Sequence, residues 1–470
     1  MLKKMKSDGQ HRVHDKTVES MSRADLLQFQ LRNLQSLLER VNATNDFYRR
    51  RFEKAHFHPG TVRSFEHFFE QAPFLSKQEL LEDQQDFPPY GRRLQIPRSK
   101  IAYPCLTSGT TGIGQEVHPY SLPDIESLSN SWAFMFRWGG IEPGDRAFTC
   151  LPLSIQIGGQ SIMRAFERYG LETFPVAALD GKTKLQLMKR FPPHYVVIVP
   201  AYLIRLTVLC EELGINPRRD FPDLKNITVV TQGYSVAWAR EMEETWGAPL
   251  SETYASTQAA PAVMTTCEHG VLRDGSRRGI IHALESKLLF EVLDRETGQH
   301  VQPGESGELV VTTLTREATP LIRYRMDDRV TYLGPDSCDC GRPFAGIEAG
   351  TVARYDDMLK IKGTNIWPEA VDAVIFAHPE LDEYNARVLI DERGRERVLV
   401  QIEFRATTKM DAEGARRLIA QIATELRDRV GVSMELQQAP RGSLERFDYK
   451  ARRWTDERRQ GRRVVKYHAE

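Results

Sequence analysis

The sequence predicts an α/β protein with two domains, a large amino-terminal one and a small carboxy-terminal one. A chain of 470 residues is too long for a single hydrophobic core, so at least two domains are expected. Over residues 99–330, short β-rich runs alternate with helical patterns, as in an α/β domain. The carboxy-terminal part is rich in charged residues and has its own pattern of helices and strands.

The first predicted element is an amphipathic helix over residues 22–41. Leucines recur on one face of this helix from Leu27 up to Val41, and Ser22 with Asp25 forms its expected N-terminal cap.

Two short apolar runs, residues 196–199 and 227–230, are predicted to be buried strands. Pro200 follows the first run and Gly233 lies just beyond the second, so a loop begins at the carboxyl end of each strand. Because α/β sheets bind their ligands at these ends, we expect both loops near the functional site.

The domain boundary is expected near residue 355, which gives a first domain of residues 1–355 and a second of residues 356–470. In the second domain the pattern predicts a helix after Pro368, a strand over 397–404 and a helix over 411–429. These elements suit a small α+β module.

Composition argues against several classes of protein. Lys plus Arg and Asp plus Glu number 64 each, so the whole chain has no field that attracts nucleic acid. Residues 441–466 hold ten Lys or Arg against four Asp or Glu, and we expect a solvated end there rather than a nucleic-acid tail. Six scattered cysteines do not suggest a secreted disulfide framework, and neither a signal peptide nor an 18-residue apolar run is found. We therefore expect a cytoplasmic protein without nucleic-acid or membrane partners.

Residues 106–112 have the sequence Leu-Thr-Ser-Gly-Thr-Thr-Gly, a composition typical of loops that wrap nucleotide phosphates. Glycines allow backbone N–H groups to converge on an anion, and the hydroxyls of Ser108, Thr110 and Thr111 add donors. No Gly-Lys-Ser/Thr follows at the spacing of a P-loop. Taken alone, the segment is equally consistent with an ordinary Ser/Thr/Gly surface turn.

Seven stretches in order along the chain resemble the adenylate-forming enzymes, and among them the phenylacetate–CoA ligase-like branch. They are residues 47–52, residues 74–77, the phosphate loop at 107–112, Tyr-Ala-Ser-Thr-Gln at 254–258, Arg-Tyr-Arg-Met-Asp-Asp at 323–328, residues 353–358 followed by 362–368, and residues 442–447 with Lys-Ala-Arg-Arg at 450–453. A single stretch is not specific, whereas the ordered set spans nearly the whole chain.

The resemblance implies a large amino-terminal adenylation domain, a small mobile carboxy-terminal domain and two half-reactions. In the first, a carboxylic acid attacks the α-phosphate of ATP, in the presence of Mg²⁺, to give an acyl-adenylate and pyrophosphate. In the second, the thiol of coenzyme A displaces AMP. The implied nucleotide-binding residues are Thr107, Ser108, Gly109, Thr110, Thr111, Gly112, Gly233, Tyr234, Tyr254, Ala255, Ser256, Thr257, Asp328 and Arg354. Asp328 would bind the ribose hydroxyls; a strand-end salt bridge with Arg325 is the alternative.

Three positions of the second domain also match the family pattern. Lys450 corresponds to the catalytic lysine, Asp356 to the hinge about which the small domain rotates, and Gly363 to the loop along the path of coenzyme A. Lysine is a compact charge on a flexible stem, which suits a site that assembles and disassembles. The alternatives are a solvated lysine at 450 and a plain charged turn at 356.

The acid pocket is expected to contain Ile155, Gly158, Gly159 and Tyr254. The two glycines would leave room for a flat ring, and the family branch favours aryl or arylacetic acids. An apolar pocket distinguishes ring substituents poorly unless polar groups of the protein form hydrogen bonds with them. The sequence does not reveal such groups.

Two departures from the family pattern bear on activity. The phosphate loop continues with Ile113-Gly114, where the family has Lys-Pro, so a mobile lysine is absent. The family's metal-binding glutamate is Gln258, whose neutral amide oxygen can contact Mg²⁺ without the charge that hard cations prefer. Three alternatives remain: a slow ligase, an adenylating enzyme that serves a different acid or a different acceptor, such as a carrier-protein thiol in trans or an amine, and a protein that binds nucleotide without turnover. The acid and the oligomeric state, monomer or homodimer, stay open.

Cys267, His269, Cys338 and Cys340 supply four ligands, enough for tetrahedral zinc. Residues 338–342 resemble a Cys-x-Cys-Gly-Arg turn that some phenylacetate–CoA ligase-like proteins carry. A closed four-ligand site has no open position, so its expected role is to staple a loop to the body of the protein. Reduced thiols beside a surface histidine are the alternative.

Overall fold

The computed structural model describes residues 12–107, 115–230, 233–391, 394–405, 408–445, 451–458 and 463–467. The α-helices of these residues are α1 Lys16–Glu19, α2 Arg23–Thr44, α3 Asp46–Lys54, α4 Phe65–Gln71, α5 Lys77–Asp86, α6 Leu122–Trp138, α7 Ile157–Tyr169, α8 Gly181–Arg190, α9 Pro200–Glu212, α10 Pro217–Asp220, α11 Val236–Trp246, α12 Pro368–Ile375 and α13 Ala412–Val430. Short 3-10 turns lie at Pro59–Thr61, Arg98–Lys100, Pro335–Ser337 and Tyr355–Asp357.

The strands are β1 Ile101–Leu106, β2 Val117–Ser121, β3 Arg146–Thr149, β4 Glu172–Pro175, β5 Tyr195–Ile198, β6 Asn226–Val230, β7 Leu250–Tyr254, β8 Met264–Thr266, β9 Leu272–Arg273, β10 Arg277–Arg278, β11 Ile280–Ala283, β12 Leu288–Leu293, β13 Ser306–Thr313, β14 Tyr324–Leu333, β15 Gly346–Glu348, β16 Ala353–Arg354, β17 Leu359–Ile361, β18 Thr364–Ile366, β19 Leu381–Ile390, β20 Glu396–Phe404, β21 Glu435–Gln438, β22 Ala451–Asp456 and β23 Arg463–Tyr467.

The larger sheet joins a parallel half to an antiparallel half, and the predicted fold class is confirmed. Its strands lie in the order β12-β13-β14-β15-β11-β8-β7-β6-β5-β3-β4, with β16 paired to β14. From β7 to β4 all neighbours are parallel, and helices connect them along the chain. All four residues of β5 are buried, as expected for a strand covered on both faces. The apolar runs predicted as strands are therefore β5 and β6.

The antiparallel half contains an irregularity directly before Asp328. The pairing of β13 with β14 shifts register between Glu308 and Val310, and Asp327 has a φ of 58° on the opposite strand. Bulges of this kind re-aim side chains. Asp328, the residue after Asp327, is buried, and its partner in the strand pairing of β14 with β16 is Arg354.

The amino-terminal helix α2 forms as the sequence predicts. The side chain of Ser22 accepts a hydrogen bond from the backbone N–H of Asp25, which caps the helix. Its buried face includes Leu26, Leu34 and Leu38.

A buried carboxylate ties the segment before α2 to the body of the protein. Glu19 accepts hydrogen bonds from the indole N–H of Trp138 and from Nε of Arg342, both at 2.9 Å. Around this contact lies a separate small core, which also includes Cys267 and Cys340.

The carboxy-terminal part has its own core and its own sheet. The strand order is β21-β20-β19-β22-β23, and α12 and α13 pack against it. Strand β20 and helix α13 match the predicted elements closely. The large core ends at Val352 and this one begins at Leu359, on either side of the expected boundary.

The two parts touch through the first turn of α12. A Cβ added to Gly233 would lie 3.2 Å from Cγ of Glu369, a tight contact that would push this side chain aside by a few tenths of an ångström. Burial and the charge of Asp357 raise the pKa of Glu369 well above its ordinary value. A second contact is the ion pair of Arg405 with Glu241, at 3.4 Å.

None of the helices that the structure describes has both the length and the apolar character needed to cross a membrane.

Candidate active site

The ends of the predicted phosphate loop are held together at its base. Strands β1 and β2 pair antiparallel on either side of the loop. Thr107 donates its backbone N–H to the carbonyl of Glu116, and the backbone N–H of Glu116 donates to the Thr107 hydroxyl, both at 3.0 Å. Gln115 adds a bond from Nε2 to the carbonyl of Thr107. Ser108, Gly109, Thr110, Thr111 and Gly112 lie outside the described residues.

Behind this loop lies a buried polar network centred on Glu116. Its Oε1 accepts the hydroxyl of Tyr324 at 2.6 Å, and its Oε2 accepts Nε2 of Gln258 at 2.8 Å. Nε2 of His118 lies 3.5 Å from Oε1, and Nδ1 of His118 faces Arg93 at 3.2 Å. Burial, above all, lowers the pKa of His118 to about 4, so the imidazole is neutral at physiological pH.

Asp328, the expected ribose carboxylate, is oriented by two neighbours. Tyr254 donates its hydroxyl to Oδ2 at 2.6 Å, and Nε of Arg354 lies 3.6 Å from Oδ1. Burial and then the negative charge of Asp328 raise the pKa of Tyr254 well above its ordinary value, so the hydroxyl stays a donor. The alternative pairing with Arg325 is not seen, because the guanidinium of Arg325 binds Glu308 instead.

Gly233 and Tyr234 occupy different surroundings. Gly233 lies against Glu369 and the carbonyl of Val352. The hydroxyl of Tyr234 donates to Glu252 inside the core, and burial raises the pKa of Glu252 to about 7. The expectation of a nucleotide contact at Tyr234 therefore does not extend to its side chain, which is 1% exposed.

A cavity of about 120 Å³ lies at the carboxyl ends of the parallel strands. Its lining is mostly apolar and comes from four segments, which lie after β3, after β5, at the end of β6 and after β7: Leu151, Pro152, Gln156, Ile157, Gly158, Gly159, Val199, Val230, Ala255, Ser256, Thr257 and Pro261. Predicted pocket residues and predicted nucleotide-binding residues thus share one wall.

Two of the expected pocket residues do not line this cavity. The side chain of Ile155 is 57% exposed and does not line the cavity, because the chain turns there and Ile157 points inward instead. Tyr254 is fully buried with its hydroxyl on Asp328, and its neighbour Ala255 is the lining residue.

The two glycines of the pocket have different roles. A Cβ on Gly159 would lie 2.1 Å from the carbonyl oxygen of Pro152, so only glycine fits there. A Cβ on Gly158 would meet no heavy atom within 4 Å. Gly159 therefore allows close packing, whereas Gly158 leaves open space beside the cavity.

The expected residues of the second domain are only partly described. Asp356 lies in the 3-10 turn Tyr355–Asp357, between β16 of the large sheet and β17. Gly363 has a φ of 81° in the two-residue turn between β17 and β18, and lines a groove with Glu396 and Arg458. Lys450 lies outside the described residues.

The cysteine cluster differs from the expected one in one ligand. Cys267, Cys338 and Cys340 converge with His282, and the four ligand atoms lie within 4.8 Å of one another. His269 is exposed and is not in this group, so its assignment as a ligand is corrected. The sequence offered a signal for His282, since it is the polar residue of an otherwise apolar strand, β11.

Two family models match this chain in turn. One, described as "AMP-binding enzyme", matches residues 32–315, and the other, described as "AMP-binding enzyme C-terminal domain", matches residues 363–458. Since the first covers more than half of the chain, the chain belongs to the AMP-binding enzymes.

Curated relatives of full length point in the same direction. Phenylacetate-coenzyme A ligase of Thermus thermophilus is 28% identical over 93% of this chain and 97% of the relative. The enzymes of the same name from Pseudomonas putida and Escherichia coli K12 are 28% and 26% identical, over 92% and 93% of this chain and 94% and 96% of the relatives. The chain is an AMP-forming acid–coenzyme A ligase: it activates a carboxylic acid with ATP as an acyl-adenylate and transfers the acyl group to coenzyme A.

Solved structures share the fold. A 2-hydroxyisobutyryl-CoA ligase in the postadenylation state has a TM-score of 0.86 at 24% identity, covering 96% of this chain and 94% of that one. The same ligase in the thioesterification state, with coenzyme A, has a TM-score of 0.69 at 25% identity, covering 95% and 93%.

The glycine pair gives a direct test of the cavity. Gly158→Ala is expected to keep the melting temperature and to raise KM for the best acid about tenfold, because the methyl group takes cavity space. Gly159→Ala is expected to cost about 1–3 kcal/mol of stability, because the backbone at Pro152 must move. Thermal melts and acid-dependent kinetics of both variants are the measurement. Equal effects of the two substitutions on stability would contradict the distinction.

Proposed function

We propose that the acid this ligase activates is aromatic or arylacetic. The observation that carries the proposal is the cavity at Gly158, whose lining is mostly apolar and whose wall includes Ala255, Ser256 and Thr257. An acid with its ring among the apolar residues would extend its carboxylate toward these three positions. The names of the full-length curated relatives support the same class of acid.

The nucleotide is expected to lie across the predicted binding residues. Asp328, held by Tyr254 and Arg354, presents a carboxylate suited to accept hydrogen bonds from the ribose hydroxyls. The phosphate loop, closed at Thr107, would surround the β- and γ-phosphates. In this arrangement the acid oxygen and the α-phosphate meet at residues 255–257, which is what acyl-adenylate formation requires.

Mg²⁺, when bound, supplies positive charge against the phosphates of ATP. Gln258 is the residue that would hold it in this chain. Nε2 of Gln258 is engaged by Glu116, so the amide oxygen is the end of the group that suits a hard cation.

The second half-reaction is assigned to the carboxy-terminal domain. We propose that residues 1–355 and 356–470 are the two domains, with Asp356 at the hinge, where the chain passes from β16 to β17. The open groove beside Gly363 would accept the pantetheine arm of coenzyme A. Transfer to a carrier-protein thiol or an amine is not favoured, and neither is a nucleotide-binding protein without turnover.

Acid-dependent pyrophosphate release tests the proposed substrate. With ATP and Mg²⁺, an aryl or arylacetic acid is expected to release pyrophosphate, and a thioester is expected to form when coenzyme A is added. The panel should include benzoates, phenylacetates, straight-chain acids and a branched hydroxy acid. A clear preference for an aliphatic acid would contradict the aromatic assignment, and silence of every acid would contradict the ligase itself.

The role of Lys450 can be separated by half-reaction. Lys450→Ala is expected to slow acyl-adenylate formation roughly 100- to 1000-fold, because a positive group is lost from the developing charge. Thioester formation from a supplied adenylate should be nearly unchanged. Lys409→Ala, an exposed lysine of the same domain, is the control and should leave both rates unchanged. Equal loss of both half-reactions would rule out the assignment.

We further propose that Cys267, His282, Cys338 and Cys340 hold a structural zinc ion. Tetrahedral zinc places two sulfurs about 3.8 Å apart and a sulfur about 3.6 Å from a nitrogen. The structure has Sγ of Cys267 and Cys338 at 3.8 Å, and Sγ of Cys340 and Nε2 of His282 at 3.5 Å. Nδ1 of His282 donates to the carbonyl of Phe344, which leaves Nε2 for the metal.

Zinc content checks this proposal. The purified protein is expected to contain about one zinc ion per chain, and Cys338→Ser and His282→Ala should lose it and melt at a lower temperature. His269→Ala is the matched control and should keep the metal. A wild-type protein without zinc, or one whose melting temperature a strong chelator leaves unchanged, would favour reduced thiols.

A further inference from the structure

Glu116 lies outside the motifs that resemble the family, yet this residue joins three of them. Its backbone closes the base of the phosphate loop on Thr107. Its side chain accepts Tyr324 of the Arg-Tyr-Arg motif and Gln258 of the Tyr-Ala-Ser-Thr-Gln motif. The side chain is completely buried. A buried carboxylate at this junction therefore acts on all three segments.

The carboxylate determines which way the Gln258 amide points. An amide has a donor end and an acceptor end, and a carboxylate only accepts. Nε2 of Gln258 donates to Oε2 of Glu116 at 2.8 Å, so the amide oxygen is directed away from Glu116. The backbone carbonyl of Gln258 is held as well, because it accepts a hydrogen bond from Nη1 of Arg316 at 2.6 Å. The side chain and the backbone of Gln258 are thus both held by hydrogen bonds before any ligand binds.

Glu116 also carries negative charge. Its carboxyl meets donors: the hydroxyl of Tyr324 and Nε2 of Gln258 donate to it, and Nε2 of His118 faces Oε1 at 3.5 Å. Two cations border the network, Arg93 at His118 and Arg316 at the backbone carbonyl of Gln258. A carboxyl that accepts at both oxygens has the hydrogen bonding of the ionised form.

We propose that Glu116 is a positioning residue for the metal end of the ATP site: it orients the Gln258 amide and supplies, one hydrogen bond away, the negative charge that a glutamate at position 258 would carry. The neutral residue at 258 and the buried carboxylate at 116 then form one unit. This inference rests on ATP with Mg²⁺ being the nucleotide substrate. It explains how a chain with glutamine at this position keeps the electrostatics of a ligase.

The test exchanges the two residues. The variants are E116Q, Q258E and the reversed pair E116Q/Q258E. The measurements are the melting temperature of the ligand-free protein and the Kd of ATP with and without Mg²⁺, neither of which requires an acid substrate. A failure of the aromatic-acid assignment therefore does not affect this test.

Each variant has a distinct expected result. Q258E is expected to lower the melting temperature by several degrees, because two carboxylates would meet in a buried contact. E116Q is expected to weaken MgATP binding about tenfold while changing metal-free ATP binding less than about twofold. The reversed pair should recover both the melting temperature and the Mg²⁺-dependent binding, since the hydrogen bond reforms with the charge on residue 258.

Tyr324→Phe is the matched control. It removes the other hydrogen bond to Glu116 and keeps the pair with Gln258, so stability should fall while the effect of Mg²⁺ on ATP binding stays. If E116Q does not fold, the reversed pair E116Q/Q258E still distinguishes a positioning role of Glu116 from a purely structural one. Recovery of the melting temperature without recovery of Mg²⁺-dependent binding would overturn the proposal, because Glu116 would then be structural only. A stable Q258E that binds MgATP more tightly than the wild type would also overturn it.

Discussion

The acceptance of two hydrogen bonds by one buried carboxylate is the constraint on which the surroundings of β2 depend. Glu116 lies directly before β2, at the base of the predicted phosphate loop, and its partners come from the loop after β7 and from β14. An unpaired carboxylate at such a depth would be costly, so the three segments are stabilised only in each other's presence. The neighbouring pair of Tyr254 and Asp328 repeats the same design, a buried hydroxyl that orients an acidic group.

The cavity at the carboxyl ends of the parallel strands depends on close packing rather than on charge. Helix α7 begins at the wall of the cavity, and it can approach the preceding loop only because Gly159 has no side chain to meet Pro152. Apolar residues from the ends of β5 and β6 complete the wall. The position of the cavity thus follows from the parallel topology, since the carboxyl ends of such strands meet at one edge of the sheet.

The sequence alone predicts those elements whose structure depends on residues close together along the chain. The capped helix after Ser22, the strands β5 and β6, and helix α13 follow from periodicity and turn residues, and the ordered motifs indicated the family. The contributions of Glu116 and His282 were missed because their partners are far away along the chain, in β14, the loop after β7 and the turn at 338–340. Ile155 was assigned to the pocket because of its place in a loop, but the path of the chain turns Ile157, two residues later, toward the cavity instead. The structure does not describe Lys450, whose role stays a prediction.

The small core that contains Cys267 and Cys340 has a wider consequence. Through Arg342 and Glu19 it is in contact with residues 12–22, the amino-terminal arm that precedes α2, so we expect the cysteines and this arm to unfold together. Loosening of either end is therefore thermodynamically linked to loosening of the other. Oxidation of the cysteines would therefore make the amino-terminal arm more sensitive to proteolysis. Detachment of the arm would expose the cysteines to oxidants.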